Sequence, residues 1–126
     1  MELDKLSTAP VHEEGADCRI KVDGKPSDVY ITIKGQDSHS YRKAKKRQMR
    51  QFIEARKKDI DIEELDTDKM DCELMADCTV GWRGITAKGK EFTFSRDNAI
   101  KLYSDAPDIV AQLLHFIEER GNFTNG

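Results

Sequence analysis

Apolar residues come along this chain in short bursts with two different periods. Cys18-Arg19-Ile20-Lys21-Val22 alternates apolar and polar, and Val29-Tyr30-Ile31-Thr32-Ile33 is β-branched and aromatic, so both predict strands. Asp23-Gly24-Lys25-Pro26 between them is turn chemistry, which makes the pair a hairpin. Asp37 or Ser38 can cap a helix running to about Lys58. That helix is poor in apolar residues (Tyr41, Ala44, Met49, Phe52, Ile53), and one face is set by Tyr41, Ala44, Gln48, Phe52 and Ala55. A second helix starts near Asp66 or Thr67 with the stripe Met70, Leu74, Met75, Cys78, and Gly81-Trp82-Arg83-Gly84 reads as its end. Ala87-Lys88-Gly89-Lys90 turns a second hairpin within Ile85 to Phe94. Ser95 caps a short helix from Arg96 to Tyr103, Ser104 to Pro107 is a turn, and Ile109, Val110, Leu113, Leu114 and Ile117 form the apolar face of a last helix that stops at Gly121. The fold class is α+β: short β-hairpins packed with about four α-helices in a single domain. Residues 1–16 show no periodicity and hold Pro10, Gly15 and several acids, so they predict a flexible N-terminal tail ahead of one domain over 17–126.

With 126 residues the chain has room for one core, but 37% of it is apolar and 36% charged, a lean core for that length. Burial completed by a partner is the corresponding expectation. The net charge of -3 gives no global field toward nucleic acid or an anionic membrane. No apolar run approaches the ~20 residues that span a bilayer, and Met1 to Glu14 has no apolar signal core. Cys18, Cys72 and Cys78 are an odd set without framework spacing, read as reduced thiols; a cytoplasmic location is expected.

The charge is segregated. Arg42-Lys43-Ala44-Lys45-Lys46-Arg47, Arg50 and Arg56-Lys57-Lys58 are followed by Asp59, Asp61, Glu63, Glu64, Asp66, Asp68, Asp71, Glu73 and Asp77. A basic helix next to an acidic one can neutralise itself or a neighbouring subunit, which makes Arg42, Lys45, Lys46, Arg50, Asp68 and Asp71 candidate pairing residues and a homo-oligomer the expected state. Plain solvation of both faces is the simpler alternative. Phosphate binding by the basic run ranks below both, because no aromatic residues interleave it for base stacking. His12, His39 and His115 lie in separate segments without metal-ligand spacing. Asp37-Ser38-His39-Ser40 is contiguous, whereas a triad is assembled by the fold, and no Gly-x-Ser-x-Gly or phosphate loop is present. No catalytic residue, metal or cofactor is therefore assigned, and the chain reads as non-enzymatic. Trp82, Gly84 and Asn98 are read as structural, with Trp82 an anchor whose flanking glycines free the backbone.

Thr79-Val80-Gly81-Trp82-Arg83-Gly84-Ile85, Gly89, Phe92-Thr93-Phe94-Ser95, Asn98-Ala99 and Leu102-Tyr103 form one pattern. It continues in Pro107, Ile109, Gln112, Phe116-Ile117 and Asn122-Phe123, and Asp37-Ser38 before Tyr41-Arg42 and the basic helix belongs with it. The pattern covers about Asp17 to Phe123 and resembles the tail assembly chaperones of long-tailed phages. That resemblance implies binding to the tape measure protein and tail tube subunits during assembly in the infected cell, absence from the finished virion, self-association, and in many members a longer frameshifted form. The Met-containing helix (Met70, Leu74, Met75) and the C-terminal stripe (Leu113, Leu114, Ile117) are the candidate partner-binding surfaces, because Met repacks readily on varied partners. Ordinary core packing is the competing explanation for each of them. The alternatives in other classes are a structural minor tail or head-tail connector protein, and a regulatory nucleic-acid-binding protein using the helix over 42–58.

Overall fold

The computed structural model describes residues 1–61, 63 and 65–124. In chain order the elements are α1 (Leu3–Leu6), α2 (Ala9–Glu14), β1 (Ala16–Val22), β2 (Lys25–Ile33), α3 (His39–Lys57), α4 (Thr67–Cys78), β3 (Thr79–Arg83), β4 (Thr86–Ala87), β5 (Lys90–Glu91), α5 (Arg96–Asp105) and α6 (Pro107–Glu118), with a closing 3-10 turn at Arg120–Asn122. The class is α+β, as the periodicities predict.

β1 and β2 form the first hairpin around Asp23 and Gly24, both at positive φ (53° and 76°), the geometry of a two-residue hairpin turn. Lys25 and Pro26, expected in the turn, open β2 instead, with Pro26 opposite Lys21 and beyond the stretch that β3 pairs with. The largest departure from the sequence reading is β3. Thr79–Arg83 leaves α4 directly and pairs antiparallel with β2, giving a three-stranded sheet in the order β1-β2-β3. Alternation along the strands sends Cys18, Ile20, Ile31 and Ile33 inward, all buried, while Asp17, Arg19, Tyr30 and Thr32 face out. On that outer face the Arg83 guanidinium lies 4.2 Å from the Tyr30 ring and 3.0 Å from an Asp17 oxygen.

The helices cover the inner face. Leu74, Met75 and Cys78 of α4, Ala99 and Tyr103 of α5, and Leu113 and Ile117 of α6 complete one core with the sheet. Tyr103, fully buried, meets the Thr79 hydroxyl at 2.7 Å, and the Thr79 hydroxyl reaches the Met75 carbonyl at the same distance. Caps are local: Ser38, Asp66 and Ser95 each accept a backbone N–H three residues on, from Tyr41, Lys69 and Asn98. Ala44 and Ala55 of α3 are buried and Tyr41, Gln48 and Phe52 half-buried, the face the periodicity sets.

The first sixteen residues carry structure where the sequence predicts a tail. His12 of α2 is buried, its Nδ1 accepts the Asp37 N–H at 3.0 Å, and its ring stacks on Phe123 at 5.0 Å. Six residues are too few to show a helical period, so the anchoring comes from contacts far away in sequence. Asn125 and Gly126, assigned to the domain, lie outside the described residues, as does Glu64 of the acidic run.

Candidate partner-binding cleft

α4 packs along α3 on one side and against α5 and α6 on the other, and the second junction leaves a cleft of about 650 Å³. Its floor is apolar: Ile100 from α5, then Pro107, Val110, Ala111 and Leu114 from α6. Tyr103 and Cys72 close it from below, both buried. Asp66, Asp68 and Asp71 stand along the α4 rim, with Lys69 the one cation there among the described residues and Ser104 opposite. The volume is of the order that accommodates small ligands or several side chains, roughly 300–1,000 Å³. A second cleft of about 430 Å³, between α3 and α4, is lined by both signs of charge, including Arg47, Arg50, Asp66 and Glu73.

The candidate residues divide sharply. Leu74 and Met75 are buried in the core, as are Leu113 and Ile117, so the chain itself occupies the surface they would offer, while Met70 is buried at the wall of the α3–α4 cleft. The stripe that a partner-binding helix needs is the same stripe that a core helix needs, and here the chain's own core took it. Leu114 is half-buried and lies in the cleft beside Asp68 and Asp71. One apolar and two acidic candidates thus come together, although the sequence reading placed them in separate groups.

One ion pair joins α3 to α4 among the described residues, and it is made by residues other than the candidates. Among the described residues none of Arg42, Lys45, Lys46, Arg50, Asp68 and Asp71 is in an ion pair. Asp77 instead receives Arg47 from α3 on one oxygen and Arg96 from α5 on the other, at 2.8 Å for Arg96. Asp77, in the last turn of α4, is within reach of both α3 and α5, and Arg47 is the cation of its run that meets it. Arg42 donates to the Ser38 carbonyl, and Lys45 lies 5.7 Å from the Tyr41 ring centroid.

The three structural assignments have clear geometry. Trp82 faces inward opposite Ile31, half-buried, with its ring stacked on Phe92 at 5.7 Å and edge-on to Phe94 at 5.1 Å. Its Nε1–H donates to the Phe92 carbonyl at 2.7 Å, tying the second hairpin to the sheet. Gly84 has φ +88°, and a Cβ there would stand 2.2 Å from the Asp28 carbonyl oxygen. Asn98 donates through Nδ2 to the Thr93 carbonyl at 2.8 Å. The cysteines are all free and buried; burial pushes the Cys18 thiol up to about 11 and Cys78 up to about 12, so both are core groups rather than nucleophiles.

A family model, the YdaY prophage protein, matches residues 36–125, from the turn before α3 through the end of α6 and the 3-10 turn. The chain belongs to this prophage family. Its phage origin follows, and every wall of the cleft lies within the matched segment. The match carries the phage part of the resemblance and not the tail-chaperone part. No curated protein and no solved structure matches the chain.

Proposed function

We propose that this prophage protein is a non-enzymatic assembly chaperone of tail morphogenesis that holds a helical segment of the tape measure protein, or of a tail tube subunit, in the host cytoplasm until it is incorporated. The observation that carries the reading is the α4–α6 cleft. It is an apolar trough with an acidic rim in a chain whose remaining large side chains mostly fill its own core. Such a surface fits a helix with apolar residues on one face and cations beside them. Removal of apolar area supplies the affinity, at roughly 25 cal/mol per Å² before association costs, and the rim sets orientation.

Co-expression with the tape measure protein encoded by the same prophage tests the reading. The expected result is a soluble complex that survives moderate salt. Equal solubility with and without this chain, and no recoverable complex, overturns it. Presence of the chain in purified particles would assign it instead to the minor tail or connector class.

A specific feature favours one other reading. Arg42, Lys43, Lys45, Lys46, Arg50, Arg56 and Lys57 are all exposed on α3. Phosphate binding along that helix would show as binding to DNA or RNA that collapses steeply between low and physiological salt.

A further inference from the structure

Two surfaces of this chain match each other and do not meet within one copy. The first is the outward face of α3, where Met49 and Ile53 are 64% and 47% exposed, one helical turn apart, with Arg42, Lys46, Arg50 and Lys57 around them. The buried face of the same helix is turned onto α4 through Ala44, Gln48 and Ala55, so Met49 and Ile53 have no role in the core. The second surface is the acid-rimmed cleft on the opposite side of α4.

We propose that α3 of one copy docks in the cleft of the next, head to tail, with Met49 and Ile53 on the apolar floor at Ile100, Val110 and Leu114, and with the α3 cations against Asp68 and Asp71. Charge complementarity selects this occupant. The helix carries eight Lys and Arg against one Glu between residues 42 and 57, whereas the chain as a whole is at -3. Asp68 and Asp71 make no ion pair within the chain among the described residues, and neither do Arg42, Lys46 and Arg50. Side chains one turn apart on a helix stand about 5–6 Å from each other, so Met49 and Ile53 can enter one apolar floor together. Met49 is the adaptable member of the pair. Lys69 is a rim charge of the wrong sign, and it stays at the edge where solvent screens it. The surfaces are different patches, so the contact is heterologous: it propagates into a ring or an open chain rather than closing as a two-fold dimer. The inference rests on the cleft being a docking surface and not on the tail function. If both hold, self-association keeps the cleft covered until a tail partner displaces α3.

The test uses the full chain alone, in sedimentation velocity from micromolar to several hundred micromolar at low salt. Wild type should grow with concentration, and 0.5 M NaCl should weaken that growth at least tenfold in association constant. Met49→Asp/Ile53→Asp removes the head and Asp68→Lys/Asp71→Lys removes the socket; each alone should remain monomeric. Mixed one to one, they leave one intact head and one intact socket, and should form a dimer that does not grow further. Met49→Ser/Ile53→Ser and Asp68→Asn/Asp71→Asn repeat the test if a charged variant fails to fold. A wild type that stays monomeric throughout, a folded variant that assembles like wild type, or a mixture that stays monomeric overturns the proposal. Soluble tape measure complexes formed by variants that do not self-associate would separate the two functions.

Discussion

Gln112 hydrogen-bonds both backbone groups of Lys21: its Nε2 donates to the Lys21 carbonyl at 2.9 Å, and its Oε1 accepts the Lys21 N–H at 2.8 Å. Lys21 is on β1, an edge of the three-stranded sheet, next to a shift in register between Arg19 and Lys21. The side-chain amide stands in for a missing strand and fastens α6 to the sheet edge, which is also a guard against edge pairing. Asp108, one turn earlier on α6, accepts from the same Nε2 at 2.8 Å and holds the amide in place.

Gln112→Leu should therefore destabilise the fold by about 1 kcal/mol, near a typical net hydrogen-bond contribution because water can reach the freed groups. Urea unfolding measures this. Gln112→Glu should cost a similar amount, since a carboxylate accepts from the N–H but cannot donate to the carbonyl.

Two glycines separate backbone strain from steric overlap. Gly24 and Gly84 both have positive φ, but a Cβ at Gly24 meets nothing within 4 Å, whereas at Gly84 it meets the Asp28 carbonyl oxygen at 2.2 Å. Gly24→Ala should cost about 1 kcal/mol, the left-handed penalty alone. Gly84→Ala should cost clearly more, because backbone must move as well. Equal melting temperatures for the two variants would contradict the close approach of β2 to the end of β3.

Trp82→Ala should cost about 2 kcal/mol, below the ~3–5 kcal/mol of a fully buried aromatic, because the ring is only half-covered. Trp82→Phe keeps the stacking and loses only the bond to the Phe92 carbonyl, so it should cost about 1 kcal/mol. Chemical denaturation of the two variants measures both the ring and the hydrogen bond.

Much of this architecture is written in local signals. Ser38, Asp66 and Ser95 are caps that act within three residues, and the turns at Gly24 and Gly89 need only their own φ angles, so both hairpins and the four long helices are legible from pattern. β3 was not, because Gly81 and Gly84 around Trp82 read as breakers. In the sheet, Gly81 sits opposite Thr32 within the strand and Gly84 follows its end. Thr79, Val80 and Trp82 carried the strand signal. The cleft was legible only in pieces. Leu114 and Asp71 are both visible as candidates, but their neighbourhood depends on α4 meeting α6, which no local pattern encodes. Asp77 likewise needs three helices to select Arg47 and Arg96 from among many cations.

The network at His12 makes stability depend on pH in two separate windows. Burial pushes the His12 imidazole below its ordinary value of 6.5, outweighing the opposing pull of Asp37. Its Nδ1 accepts the Asp37 N–H, and Gly35 lies so close that a Cβ there would stand 2.2 Å from that atom, so a proton on Nδ1 would displace the hydrogen bond. The folded state thus binds fewer protons than the unfolded one. The His12 contribution is complete above the ordinary histidine value and declines as pH falls through the folded value. Asp37 acts lower down: hydrogen bonds from Arg120 and Thr8 hold its carboxyl at about 2, so its contribution is present above the usual carboxylate range and lost as pH approaches 2. Glu13, held down by Lys34, and Asp17, held down by Thr32 and Arg83, titrate with the carboxylates and leave the upper window to His12. Melting temperature should fall between pH 7 and 5, then fall again below 4. In His12→Asn, which keeps an acceptor near Nδ1 but cannot titrate, the baseline is lower and the first decline is absent. A His12→Asn variant with the same slope between pH 7 and 5 as wild type would place the titrating group elsewhere.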